Sequence, residues 1–476
     1  MKDVIIIGAG IAGLSSGFEL YKNNIDFQIL ETANKVGGSI ETIKVNDYLI
    51  ETGPYTFSSS GKEIMGLVRD LGIEDTLQQV NPASKKRYIY LNGELVAVPS
   101  NVIEFFKTEI LSKEGKWTIL EELFIKKFEK EESIEEFFTR RFGREVLKNL
   151  IQPFLNGVFA GDVKKLSVNA VFPKLKELEN NYKSIILGSL LSGEVTKSFK
   201  NLTLYSFIQG MQSLPNEIYE RLKNKITLNI RDMEITRAKD FFIVTFKVNN
   251  KTINYTTSSI LFAIPTYKMH DFSYVIPSDY LTDFFHMEYL PVATVTQEVE
   301  KSKIPINLDG FGYLCTKEPH RKLLGTIWTS TIFPNRAPSD KVLLTSYIGG
   351  AYYKKITDIK EEEIANITAK EVAETLKISE PSSIETIHIK VHENAIPQYN
   401  MGHLHKVKRI EELMDKNYGL FFTGNYLYGI SINDTIKTSK LAIEKIKRFL
   451  SFIKQYDITK NGAKAEELRE NKIVTR

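Results

Sequence analysis

Val4-Ile5-Ile6-Ile7 is apolar and β-branched at every position, the pattern of a strand covered on both faces in a parallel sheet. Gly8-Ala9-Gly10-Ile11-Ala12-Gly13 follows, and an apolar helical pattern then runs to about Tyr21. A second strand, Phe27-Gln28-Ile29-Leu30, ends on Glu31 and completes a βαβ unit of roughly thirty residues. Ile64, Met65, Leu67, Val68 and Leu71 form a helical stripe closed by Gly72. From about Asn101 to Gly210 the period is helical, and Ser133-Ile134-Glu135-Glu136 is a capping box that opens an apolar helix. Short strands return between Ile226 and Pro265. Long alternating strands, "VATVTQEVE" and "KVLLTSYIGG", occupy the stretch from Asp271 to Ala395, with one charged helix around Glu361–Leu376. "GLFFTG" (419–424) is a buried strand meeting a turn, and Asp434–Leu450 is an amphipathic helix.

The order of these elements predicts a mixed α/β fold in interleaved domains. A Rossmann-like dinucleotide domain takes residues 1–84, 206–270 and 396–450. Inserted into it are a helical domain (85–205) and a mostly β domain (271–395), and a polar tail expected to fray closes the chain (451–476). A length of 476 residues suits this, since domains average ~150 residues. With 63 basic against 59 acidic residues and no basic cluster interleaved with aromatics, a nucleic-acid partner is not expected. The single cysteine, Cys315, forbids an internal disulfide and fits a reducing, cytosol-like compartment. The uncharged stretch from Val4 to Phe18 carries four glycines and falls short of the ~20 residues of a membrane span. No basic leader precedes it, so neither a secretory signal nor a transit peptide is expected.

Gly8, Gly10 and Gly13 form GxGxxG between strand and helix, the context that raises the motif above chance. The first glycine permits the tight turn, the second lets backbone approach a pyrophosphate, and the third lets the helix pack close to the sheet. Glu31, 18 residues past Gly13, is placed to accept hydrogen bonds from the adenosine ribose. Two further segments favour FAD over NAD. Gly37-Gly38 gives a second close backbone approach for an extended dinucleotide. Gly424-Asn425 at a strand end and Ser431 to Asp434 at a helix start can offer N–H groups to the flavin and ribityl chain.

Beyond the FAD pieces, which amine oxidases and carotenoid desaturases share, several segments resemble the protoporphyrinogen oxidases. They are "KKRYIYLNGELVAVPSN" (85–101), "NGVFAGDVKKLSVNAVFPKLKELE" (156–179), "YSFIQGMQSLP" (205–215), "DGFGYL" (309–314), "FPNRAP" (333–338), "AIPQYNMGH" (395–403) and "GNYLYGIS" (424–431). The resemblance runs to about residue 450. It implies an FAD domain, a mostly β substrate domain and a helical domain that touches the membrane, with the porphyrinogen between the FAD and the helical domain. It further implies hydride loss from a meso carbon to the flavin, reoxidation by O2 to give H2O2, and a cytoplasmic enzyme held peripherally at a membrane.

By the same resemblance Arg87 pairs with a substrate propionate, and Phe311 and Leu314 sandwich a pyrrole ring. Tyr347 stands near the substrate where relatives have an apolar residue, and the loop through Gly157 walls the macrocycle with a backbone carbonyl that can take a pyrrole proton. Ser39 stands where many relatives carry a basic or bulky residue, and His392 where they often have Trp. Coproporphyrinogen III is the alternative substrate, and a non-catalytic porphyrin-binding flavoprotein the alternative class. The oligomeric state stays open, a homodimer included. Phe105, Phe106, Trp117, Leu123, Phe124 and Phe128 suit either a bilayer face or the core of the helical domain. His403 and His405 lack a third ligand at a sensible spacing, so no metal is expected.

Overall fold

A computed structural model describes residues 1–192, 203–318, 320–416 and 418–473. The chain divides into two units. The first is built from Met1–Gly38, Pro215–His286 and Lys406–Arg476, the second from Ser39–Leu214 and Met287–His405.

The first unit is built on the expected βαβ. The strand Lys2–Ile7 pairs in parallel with Phe27–Leu30 on one side and with the far half of Lys251–Phe262 on the other. All of Val4 to Ile7 is buried, as a β-branched run between two neighbours requires. The strand Lys251–Phe262 changes company along its length. Its near half pairs antiparallel with Phe242–Val248, and Ile260–Phe262 pairs in parallel with Leu420–Phe422. The last helix, Ile432–Ile473, packs on the first, Ile11–Lys22, where the Ser439 hydroxyl donates to the Ala12 carbonyl at 3.0 Å. It runs well past Leu450, because the polar residues expected to fray include many good helix formers and no proline.

The second unit contains a seven-stranded sheet ordered Glu385–Pro397, Tyr289–Glu300, Lys341–Gly349, Leu323–Ile327, Gly310–Cys315, Lys86–Leu91, Glu94–Ala97. Its neighbours are antiparallel except for Gly310–Cys315 beside Lys86–Leu91. The segment at residue 85, expected to open the helical domain, instead supplies the last two strands of this sheet. Its "KKRYIYL" alternates too little for the sequence to reveal its partner. The charged helix lies at Glu361–Leu376, where its pattern put it.

The helical lobe belongs to the same unit. The capping box forms as the sequence predicts: Glu136 N donates to Ser133 Oγ at 3.2 Å and Ser133 N to Glu136 Oε2 at 2.8 Å. Inside the lobe is an ionic core. Arg141 bonds Glu122 (2.8 Å) and Glu179 (2.6 Å), and all three side chains are fully buried. Arg140 and Lys176 bind Glu132 at 2.6 and 2.9 Å. Three cations face three carboxylates, which is how buried charge is tolerated. The outside of the lobe carries large apolar side chains among its lysines and glutamates: Trp117 is 65% exposed, Phe124 86% and Leu190 70%, and Ile103, Phe106, Leu123 and Phe128 are exposed too. Phe105 faces inward, against Ile110, Leu111 and Val146. No helix among the described residues is long and apolar enough to cross a membrane.

Candidate active site

In the first unit the glycine turn is shaped by what surrounds it. Gly8 has φ 101°, and a Cβ there would press on the Ala263 carbonyl oxygen at 2.9 Å. A Cβ on Gly13 would overlap the Gly8 carbonyl, so only glycine lets the helix lie this close to the strand. Gly10 faces open space, its nearest neighbour being the Cα of Gly38 at 3.9 Å. Gly37 bridges to Gly10 and donates to the Ala9 carbonyl at 2.9 Å. The two glycine pairs of the sequence therefore meet as bare backbone.

The helix at Ile11 has no side-chain cap and no acid in its first turn, so its amides and dipole are left for a phosphate. The Glu31 carboxylate folds back over the turn and accepts from Ala9 N (2.6 Å) and Ala33 N (2.8 Å). At the C-terminal piece, Gly424 and the half-buried Asn425 follow the strand Leu420–Phe422. Ser431 opens the last helix: Asp434 N donates to its hydroxyl at 3.1 Å and it donates to Asp434 Oδ2 at 2.6 Å. These residues fit FAD, whose phosphates the bare backbone at Gly10 would accommodate and whose ribose Glu31 would bind, with a second helix start at Ser431.

In the second unit, Leu314, Gly325 and Tyr347 stand side by side in register on three neighbouring strands. Gly325 puts no side chain between the other two, because a Cβ there would press on the Tyr313 carbonyl oxygen and on Leu314 Cδ2. The helix Gln152–Phe159 packs here, and a Cβ on Gly157 would run into Leu314 Cδ2. The Gly157 segment is thus helical rather than a loop. The resemblance implied a loop here, yet Gly157 lies in a helix and is glycine because Leu314 fills the space its side chain would take. The helix ends at Phe159 with Ala160 left-handed (φ 49°), so no amide of a described residue reaches the Gly157 carbonyl.

Phe311 and Leu314 are three apart yet both half-buried, because the strand pairing shifts between Gly310 and Tyr313. The Arg87 guanidinium lies 5.5 Å from the Phe311 ring centre and has no carboxylate partner among the described residues. "KKRYIY" and "DGFGYL" are clipped together by Asp309, which binds Lys86 Nζ at 2.5 Å and accepts from the Tyr88 hydroxyl. Burial, with Tyr55 and Glu51 nearby, pushes the Tyr347 phenol far above its ordinary value, so it stays protonated.

Two family-like segments without an expected role meet at a residue the sequence reading missed. Arg336 of "FPNRAP" bonds Glu51 Oε1 (3.1 Å), Ser206 Oγ (3.1 Å) and the Phe207 carbonyl (3.1 Å). Glu51 also accepts from Met211 N at 3.0 Å and the Thr42 hydroxyl at 2.6 Å. Both side chains are fully buried. Next to them Phe333 packs with Tyr55 and Phe311, so the clamp supports the ring that carries Arg87. Gly325 was missed as well, although a lone glycine inside a strand pattern is a signal of close approach. His392 Nε2 lies 2.7 Å from the Thr52 carbonyl oxygen, and His403 stacks on Tyr399. No group of side chains suited to a metal occurs among the described residues.

Residues 11–446 match the flavin containing amine oxidoreductase family. The chain is 29% identical to coproporphyrinogen III oxidase of Bacillus subtilis (strain 168), over 94% of its length and 98% of the relative's. It is 30% identical to the chloroplastic protoporphyrinogen oxidase of Nicotiana tabacum, covering 94% and 86%. Among solved structures, a protein of Exiguobacterium sp. 255-15 superimposes with a TM-score of 0.78 at 20% identity, over 94% of this chain and 98% of that one. Reduced UDP-galactopyranose mutase gives 0.70 at 15%, covering 95% and 94%. The chain belongs to the flavin-containing amine oxidoreductase family, beside the porphyrinogen oxidases, and is an FAD-dependent oxidoreductase.

Proposed function

We propose that this chain oxidises protoporphyrinogen IX to protoporphyrin IX in haem synthesis. The observation that carries the reading is the face formed by Leu314, Gly325 and Tyr347 beneath the helix of Gly157. It offers an apolar surface, a backbone carbonyl that no described amide engages and, at Arg87, a cation without a carboxylate partner among the described residues. A porphyrinogen asks for flat apolar contact, an acceptor for its pyrrole protons and a counter-charge for a propionate. When bound, FAD would supply the hydride acceptor, with O2 as the terminal oxidant and H2O2 as its product. The chain's own residues orient the substrate and guide its proton: Arg87 holds a propionate, Phe311 and Leu314 face a pyrrole ring, and the Gly157 carbonyl accepts a hydrogen bond from a pyrrole N–H whose proton passes to water.

Coproporphyrinogen III is the second reading, favoured by the Bacillus subtilis relative. One assay separates the possibilities. The purified yellow protein, given each porphyrinogen in air, should develop red porphyrin fluorescence and peroxide, faster with protoporphyrinogen. Faster turnover of coproporphyrinogen would select the second reading, and fluorescence with neither would leave a porphyrin-binding flavoprotein.

The protein also works at a membrane surface in this reading, through the helical lobe. Large exposed side chains such as Phe106, Trp117 and Phe124 stand there among exposed lysines, a mixture suited to a membrane interface.

A further inference from the structure

The helical lobe borders a cavity of about 1020 Å³ that none of Arg87, Gly157, Phe311, Leu314 or Tyr347 lines. It follows one side of the helix Ile134–Val146 and continues to Gln152. Its charged lining is mixed where the helix starts: Glu131, Glu132, Glu135 and Glu136 stand there with Lys130 and Arg140, and Glu135 N donates to the Val163 carbonyl at 2.9 Å. Beyond the kink at Gly143 (φ 84°) the lining is richer in cations, with Arg144, Lys148, Lys164 and Lys317 beside Asp162.

That carboxylate is engaged, accepting from Lys164 N at 3.0 Å and the Tyr352 hydroxyl at 3.4 Å. The side chains of Arg144, Lys148, Lys164 and Lys317 make no ion pair with a described residue. Lys317 Nζ instead sits 3.7 Å above the Tyr352 ring centre, and Gln152 Nε2 holds the same tyrosine's hydroxyl at 3.1 Å. Leu147, Val163 and Tyr352 give this end an apolar lining. A small inorganic anion is held by donors converging on one point. Here the cations stand on separate segments around apolar surface, which suits a broad apolar body with carboxylates at its edge.

We propose that this basic end is a second binding site, taking the oxidised product as a planar macrocycle with two or more carboxylates. The proposal rests on the porphyrinogen reading above. Both places share one helix: Gln152 lines the cavity, and Gly157, further along, faces Leu314. Product leaving the apolar face thus has an anion-binding harbour one helix away.

The test titrates full-length, flavin-loaded protein with oxidised coproporphyrin III and counts bound porphyrin by fluorescence. Two per chain are expected. Lys148→Glu with Lys317→Glu should weaken one of them at least tenfold while flavin absorbance and initial porphyrinogen turnover stay unchanged; Arg87→Ala should weaken the other. If the glutamate pair loses flavin, the glutamine pair at the same positions repeats the count. One porphyrin per wild-type chain, or two in the double variant, overturns the site. So does a double variant that keeps both porphyrins but loses phosphatidylglycerol vesicles, which would make it a lipid site. Turnover is scored separately: its absence in wild type defeats the functional reading, while the binding count still decides the cavity.

Discussion

Gly157 is where sequence and structure give different reasons for one residue. Its backbone is helical, so no positive φ demands glycine, and its missing side chain makes room for Leu314. Gly157→Val would therefore push Leu314 out of its place. Overpacking of this kind costs about 1–3 kcal/mol. The variant should fold, melt somewhat lower, stay yellow and lose most porphyrinogen turnover, and wild-type turnover would remove this helix from the substrate face. Arg87→Ala should leave flavin content intact and raise KM about ten- to a hundredfold, since a charge-assisted hydrogen bond contributes roughly 1.5–3 kcal/mol. An unchanged KM would exclude Arg87. The Tyr347 phenol stays protonated well above neutrality, so Tyr347→Phe should not alter the shape of the pH–rate profile between pH 6 and 9. Loss of an ionisation there would show that the phenol titrates during turnover.

At the scale of elements, what could be read in advance was what is local. The glycine turn, the capping box of Ser133 and the helix Glu361–Leu376 each depend on residues a few positions apart, and each was legible. Arg336 and Glu51 are 285 residues apart, and no period connects them. The shift near Gly312 that turns Phe311 and Leu314 the same way is equally invisible to a count by twos. The ionic core of the helical lobe has its own consequence. Burial alone would raise the Glu179 pKa, but hydrogen bonds from Lys176, Arg141 and Arg140 hold it at about 2. A carboxylate lowered in the fold stabilises above its unfolded value of ~4.3 and loses that contribution as pH falls toward 2. Hydrogen exchange between pH 5 and 2 should show this lobe loosening in that window. Glu179→Gln should abolish that acid step and cost about 3–5 kcal/mol, because two arginines and a lysine lose a charged partner. An unaltered acid profile in the variant would assign the step elsewhere.

For the whole molecule, membrane attachment through the lobe predicts release by high salt or mild detergent. Phe106→Ser with Trp117→Ser should reduce recovery with vesicles while flavin content is kept. Resistance to both treatments would contradict a peripheral mode. Gly10→Val places a side chain in the open space that the pyrophosphate would enter, and a colourless protein is expected. Full FAD content there would remove the turn from the cofactor site.

The nucleotide unit is threaded from three distant stretches, and its strand Leu420–Phe422 pairs beside Ile260–Phe262 only after some four hundred residues have been made. A ribosome therefore delivers the glycine turn first and its last sheet partner almost last. Nascent chains arrested before residue 420 should hold no FAD, whereas the finished chain should load it at once. Colour would then be an inspection mark for complete synthesis, and any cut that tries to harvest a free-standing cofactor module should yield only an apoprotein prone to aggregate.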